Sequence, residues 1–299
     1  MISLDDFKPI TLEDYESFKK HYEKYPPIHS DNVFTTMISW RDYGNYNFSF
    51  YKENLIILTK IENKLRFRAP IGKYDNQIFL EVMKLAKTID SEYPFGFITG
   101  KTKNWFSKEF PDIETMSHRD YYDYVYLSSD LSNLSRGDYR KIRNRLNKFV
   151  ATHEYTTETI SENNINEVKQ FLKRWCLWRD CDSIPLLKDE KKAVFYSINH
   201  FDELKLSGVF LLIDDKIEAV AMFEKMDRET IVVHYEKGSP YYDGIYKAIN
   251  FETAKFVENK AAFINREADM GIPGLRRAKM SYRPHHFVEV SHVARKNLP

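Results

Sequence analysis

The sequence predicts an α+β protein of two tandem domains, and three observations carry that reading. The order of elements repeats: helix, helix, three strands, helix, strand, helix, strand, once in residues 1–128 and again in 151–299. Each half has a strand triplet, the first alternating apolar and polar residues, and the triplets are broken by turn-forming pairs, Lys52-Glu53 and Glu62-Asn63 in the first half and Asp214-Asp215 in the second. The length, 299 residues, suits about two domains. The halves show no residue-level repeat, and a basic segment, 129–150, joins them.

The elements follow in order. Thr11, with Asp14 three positions on, can cap a helix over 11–25 that Pro26-Pro27 ends. Residues 30–40 form a second helix with Val33, Met37 and Trp40 on one face. Strands at 46–51, 54–60 and 64–70 form an antiparallel meander. Helical spacing of Ile78, Val82, Leu85, Ala86 and Ile89 gives a helix over 75–90. A buried strand over 95–99, a short helix over 102–110 and a strand over 121–127 complete the half. The second half gives helices over 163–178 and 188–206, then strands over 208–213, 216–224 and 230–236. A helix over 242–259, a strand over 262–265, a helix over 273–282 and a strand over 286–292 follow.

Composition excludes several classes. The net charge of +1 provides no global field for nucleic acid or membrane, so any such contact needs a local patch. The two cysteines, Cys176 and Cys181, have neither disulfide nor zinc spacing, and His285-His286 lacks a third ligand, so no metal is expected. The N-terminus does not read as a signal peptide, and no apolar run reaches the roughly 18 residues a membrane span needs. The expected compartment is the cytoplasm.

Two stretches stand out chemically. In 262–284 a short apolar strand runs into Asn265, Arg266, Glu267 and Asp269, then Gly271, Pro273 and Gly274 open a helix carrying Arg276, Arg277 and Lys279. Proline suits a first helical position, glycines allow close approach, and a helix N-terminus beside cations can bind an anion. The same charges also suit a closed ion-pair network. In 136–150, Ile142, Leu146, Phe149 and Val150 form an apolar stripe, and Arg140, Lys141, Arg143 and Arg145 lie outside it. That helix fits either a solvated face or a phosphate contact, to tRNA or to an anionic lipid headgroup.

The element order is that of the Gcn5-related N-acetyltransferase fold, in which each domain is a mixed, mostly antiparallel sheet flanked by helices. The residues resemble a narrower family. Glu236-Lys237, Gly244-Ile-Tyr246, Asn250-Phe-Glu252 and the block Asn265-Arg-Glu-x-Asp-Met-Gly-x-x-Gly-Leu-Arg-x-x-Lys-x-Ser-Tyr282 resemble bacterial and archaeal proteins grouped with the phosphatidylglycerol lysyltransferase C-terminal domain. Lys141-x-Arg143-Asn-x-Leu-x-x-Phe149 and Ser30-Asp-x-x-Phe-Thr with Trp40 match the same family. The resemblance implies tandem acyltransferase-like domains, as in the Fem peptidyltransferases, and transfer of an aminoacyl group from aminoacyl-tRNA to an amine or hydroxyl acceptor of small-molecule, peptide or lipid type. Acyl-CoA is the alternative donor, although the acetyl-coenzyme A signature is missing and Gly244 is its nearest trace; no further cofactor is implied.

Such transfer needs a base, an oxyanion contact and a hold on the donor's phosphates. Glu236 and Glu267, each at a strand end, can each be the base, and each fits equally a salt bridge to Lys237, Arg266 or Lys279. Tyr246 and Tyr282 can donate protons. Arg266, Arg276 and Lys279, with Gly244, Asn250, Gly271 and Gly274, are the expected substrate and anion contacts. Asp269 suits either that set or a helix N-cap. His234 reads as a satisfied core histidine. The rival class is a non-catalytic anion- or ligand-binding module on a degenerate acyltransferase fold.

Overall fold

Two mixed sheets organise the chain in the computed structural model, which describes residues 2–299. The chain divides into a unit that runs to Tyr122 and includes Val288–Pro299, and a second unit, Asp123–Phe287.

In the first unit, Thr11 and Asp14 form the expected capping box across a 3-10 turn, the Thr11 amide and hydroxyl each donating to Asp14 at 2.9 Å. Helix α1 (Tyr15–Lys24) follows, then α2 (Phe34–Ser39) and α3 (Arg41–Gly44). Strands β1 (Lys8–Pro9), β2 (Asn47–Tyr51), β3 (Asn54–Ile61) and β4 (Lys64–Arg68) pair antiparallel in sequence, and β5 (Ile71–Gly72) pairs with β3. The turns between them place Lys52, Glu62 and Asn63 at positive φ. Helix α4 (Asn76–Thr88) starts where the Asp75 carboxylate accepts from the amides of Gln77 and Ile78. Its stripe of Ile78, Phe79, Val82, Met83 and Ala86 is fully buried; the larger of these side chains each contribute roughly 1.5–3 kcal/mol. Strand β6 (Phe95–Thr99) pairs parallel with β4, and α5 (Gly100–Glu109) and β7 (Met116–Ser117) follow.

The second unit holds β8 (Asp123–Leu127), α6 (Ser128–Asn133), α7 (Arg140–Thr152), β9 (Thr156–Thr159), α8 (Ile165–Trp178), α9 (Pro185–Asn199), β10 (Ser207–Ile213), β11 (Lys216–Lys225) and β12 (Thr230–Gly238). Then come α10 (Ile245–Val257), β13 (Phe263–Asn265), α11 (Pro273–Ser281) and β14 (His286–Val288), before the chain returns to the first sheet as β15 (Val290–Val293). The sheet orders are β1-β2-β3-β4-β6-β15-β7 and β14-β8-β13-β12-β11-β10-β9. Each sheet is a meander, a parallel neighbour, a strand from the other end of the chain, and an edge.

That exchange is where the structure departs from the sequence reading. The strand expected at the end of a first domain, 121–127, is β8 and lies inside the second sheet. The single strand expected over 286–292 is two strands, in different sheets, separated at the exposed Glu289. Burial explains both. Asp123, Tyr124, Val125 and Tyr126 are covered on both faces, as are all four residues of β15, which suits strands in the interior of a sheet rather than at its edge. The boundaries therefore fall at 122/123 and 287/288, not at 128 and 151. Segment 129–150 is not a separate connector either. Leu131, Leu134, Tyr139, Ile142, Leu146 and Phe149 lie in the same core as Val233, Ile249 and Ile264. Val150, read as part of that stripe, is half exposed.

Candidate active site

The site residues gather where β12 and β13 part. These two strands pair in parallel only over Thr230–Val232 and Phe263–Asn265; β12 runs on to Gly238 while β13 stops. At the same level the β11–β12 register slips between Met222 and Phe223, leaving His234 as the extra residue of a bulge. Bulges of this kind re-aim a side chain. His234 is turned between two carboxylates, Nε2 to Glu224 and Nδ1 to Glu267, both at 2.9 Å. Burial works against its charge, but the hydrogen bonds from Glu224 and Glu267 outweigh it and hold the imidazolium at about 9. Glu267 itself is pushed upward, burial outweighing His234. Its side chain as a whole is 30% exposed, and His234 occupies only one of the two carboxylate oxygens.

Two residues further along β12, Glu236 is closed. Arg266 Nη2 donates to its Oε2, and Asn250 Nδ2 donates to its Oε1 at 3.0 Å. The Arg266 guanidinium lies over the rings of Tyr282, at 4.9 Å, and Tyr126, at 5.8 Å. Burial disfavours its charge, but Glu236 outweighs that and drives it further toward the charged form. Arg266 Nη1 and Asn250 Oδ1 are buried without a partner among the described residues. Lys237 pairs elsewhere, with Glu190 at 2.6 Å, over the Trp175 ring at 4.3 Å.

The loop after β13 is fastened from both sides. Lys279 of α11 directs its three N–H groups to the carbonyls of Arg266, Glu267 and Ala268, at 2.5, 3.0 and 2.6 Å. Burial lowers its amine to about 8. The expected anion contact is therefore a strut. Asp269, fully buried, accepts Arg276 Nε at 2.8 Å and Nη2 at 2.7 Å, the Gly271 amide at 2.9 Å, and the Tyr124 hydroxyl. Desolvation opposes ionisation here, but Arg276, Tyr124 and the Gly271 amide hold the carboxyl at about 2. It caps no helix: the N-cap is Ile272, and Asp269 ties the loop to the second turn of α11. Gly271 sits at φ +73°.

The glycines serve different ends. A Cβ on Gly274 would meet nothing within 4 Å, and the residue is exposed at the start of α11. Gly244, at φ +99°, opens no approach for a phosphate. A Cβ there would sit 3.0 Å from Phe149 Cβ and 3.1 Å from the Arg145 carbonyl, because α7 crosses the start of α10 at that point. Tyr282 is buried and Tyr246 exposed, its hydroxyl accepting from Trp175 Nε1 at 3.3 Å; Asn250, one turn further along α10, is buried. Sequence reasoning missed Glu224, Tyr124, Tyr126 and Lys247. The alternation of β11 and β8 carried no sign of them, and the bulge that assembles Glu224 with His234 is invisible in spacing. Two cavities of about 440 and 390 Å³ in this unit lie along α8 and take in none of this cluster. Among the described residues no group of His, Cys, Asp or Glu could hold a metal ion, and no helix is long and apolar enough to cross a membrane.

The profile of the phosphatidylglycerol lysyltransferase C-terminal family matches residues 22–293. The chain belongs to that family. Among solved structures, a conserved protein of unknown function from Bacteroides thetaiotaomicron superposes with a TM-score of 0.88 at 28% identity, over 96% of this chain and 98% of that one. The L-PGS of Bacillus licheniformis gives a TM-score of 0.63 at 14% identity, over 95% and 92%. FemX gives 0.57 at 9%, over 97% and 98%. The fold is thus that of the lysyltransferase C-terminal domain and the Fem and Gcn5-related transferases. In this family member the basic helix is α7. Arg140 and Lys141 are exposed, Arg145 pairs with Asp243 at 3.4 Å, and Arg143 turns inward to the Leu134 and Arg136 carbonyls.

Proposed function

We propose that the chain is an aminoacyltransferase that moves an aminoacyl group from aminoacyl-tRNA to an amine or hydroxyl acceptor. The observation that carries this reading is the carboxylate of Glu267, held through one oxygen by His234 at the parting of two parallel strands in a chain of this family. His234, itself held by Glu224, fixes one oxygen of Glu267, and the carboxyl is raised toward the range useful to a general base. Glu267 would take the acceptor's proton as its nitrogen or oxygen attacks the ester carbonyl. Arg266, whose Nη1 has no partner among the described residues, would meet the developing oxyanion. Exposed cations on α7 would contact the donor's phosphates.

The closed Glu236–Arg266–Asn250 set favours a second reading, a binding module in which the block only holds an anionic ligand. The test offers the purified chain a pool of charged, labelled tRNAs and, separately, labelled acyl-CoAs, with a cell extract as acceptor. Chain-dependent movement of label from tRNA supports the proposal. Movement from acyl-CoA alone reassigns the donor, and stable binding with no movement of label supports the module.

A further inference from the structure

We propose that Lys247 is an acylation site of this chain: its amine, unpaired on the face of Tyr282, accepts acyl groups from activated esters. Lys247 lies half-buried in the first turn of α10, with Nζ 4.5 Å from the Tyr282 ring centroid. The same ring carries the Arg266 guanidinium. The neighbouring carboxylate is Glu236, but both of its oxygens are taken, one by Arg266 and one by Asn250. Lys247 makes no ion pair or hydrogen bond with any described residue, so nothing occupies its lone pair when the proton leaves.

The charged groups facing this amine are Arg266, Glu236 and Arg145, with the neutral Tyr282 against it. Burial, then Arg266, disfavour the ammonium, Glu236 opposes them only in part, and the amine falls to about 8. Near neutral pH a far larger share of such an amine is neutral than of an ordinary lysine, whose value is about 10.4. A neutral amine whose lone pair meets no donor is a nucleophile. Lys279 is the natural contrast. Its amine is lowered to a similar value, but it is buried and all three N–H groups are held by carbonyls.

The reaction is a simple aminolysis. The Lys247 nitrogen lone pair adds to the ester carbonyl carbon and forms the new N–C bond. The bond from that carbon to the ester oxygen breaks, the alcohol oxygen leaves with its electron pair, and the ammonium proton passes to it. The products are the Nζ-acyl amide of Lys247 and the free alcohol, with no change of oxidation state. The inference does not depend on the transfer reading, because an ester can acylate this lysine whether or not the chain is a transferase.

The test treats the full wild-type chain with limiting phenyl acetate across a range of pH and measures acetylation by peptide mass spectrometry at Lys247, Lys279 and the exposed Lys64 and Lys141. At about pH 7.4 Lys247 should react faster than Lys64 and Lys141, the larger neutral share outweighing the weaker nucleophilicity of a less basic amine. Its rate should level off above about pH 8–9, while the exposed lysines continue to rise toward about 10.4. Lys279 should react at least about tenfold more slowly than Lys247, as its lone pair is enclosed. A Lys247 rate no greater than that of the exposed lysines, or a midpoint near theirs, overturns the proposal. So does Lys279 reacting as fast as Lys247, since the free lone pair would then play no part.

Discussion

Replacing Asp269 with Asn should cost the second unit about 2–4 kcal/mol at neutral pH, and the cost should have a defined pH signature. The carboxylate falls from 3.8 in the unfolded chain to about 2 in the folded one, worth about 2 kcal/mol of linkage. Asn keeps the shape but turns an amide NH₂ toward donors that the carboxylate served: Arg276, the buried Tyr124 hydroxyl and the Gly271 amide. Leaving one of these unpaired adds about 1–2 kcal/mol, moderated because the Arg276 side chain is 35% exposed. The sign is fixed by the lowered value. The stabilisation is fully present above the unfolded value of 3.8 and is lost as pH falls through about 2. The assay is urea unfolding followed by tryptophan fluorescence in a Trp40→Phe, Trp105→Phe background, which leaves Trp175 and Trp178 as reporters of the second unit. The stability gap between this background and the same background with Asp269→Asn should be constant from about pH 7 to 5 and narrow below about 4. A cost under about 0.5 kcal/mol, or a gap that ignores pH, would refute the view that this carboxylate fastens the loop.

His234→Gln should destabilise by up to about 3 kcal/mol near pH 6, since the imidazole rises from 6.5 to about 9 on folding. That contribution is complete below 6.5 and lost as pH rises through 9, so urea midpoints of wild type and variant should converge at alkaline pH. Gly244→Ala should cost about 1–3 kcal/mol, from its left-handed backbone and the contact with α7, whereas Gly274→Ala should be neutral or stabilise by up to about 1 kcal/mol; thermal denaturation of the pair checks the contrast. Changing Arg140, Lys141 and Lys148 to Ala should weaken tRNA or anionic-vesicle binding and reduce the salt slope by about 2–3 in filter binding. Arg143→Ala should instead lower stability, because its guanidinium holds two carbonyls.

Local structure was legible where a short-range signal fixed it. Thr11 with Asp14, Asp75 ahead of its apolar stripe, and the turn pairs at 52–53, 62–63 and 214–215 all carry their geometry within a few residues. The strand exchange was not legible, because β8 and β15 look like any short apolar strand; their partners are set by burial on both faces, a property of the assembled sheet. The site was legible as a block and not as a circuit. Periodicity could bring Glu236, Arg266 and Glu267 to neighbouring strand ends, but not show that Arg266 and Asn250 close Glu236 while His234 occupies only one oxygen of Glu267. Nor could it tell that the Lys279 ammonium would face carbonyl oxygens, since that depends on the turn that Glu267, Met270 and Gly271 make at positive φ.

The most direct test of the account separates binding from turnover at Glu267. Wild type and Glu267→Gln are compared for aminoacyl-tRNA binding and for transfer of the labelled aminoacyl group to acceptor, with circular dichroism as a check on fold. The account predicts that Glu267→Gln binds the donor within about threefold of wild type and loses transfer by about 10²–10⁴-fold, the span of a general base. Full transfer by Glu267→Gln, with Glu236→Gln also active, would contradict it.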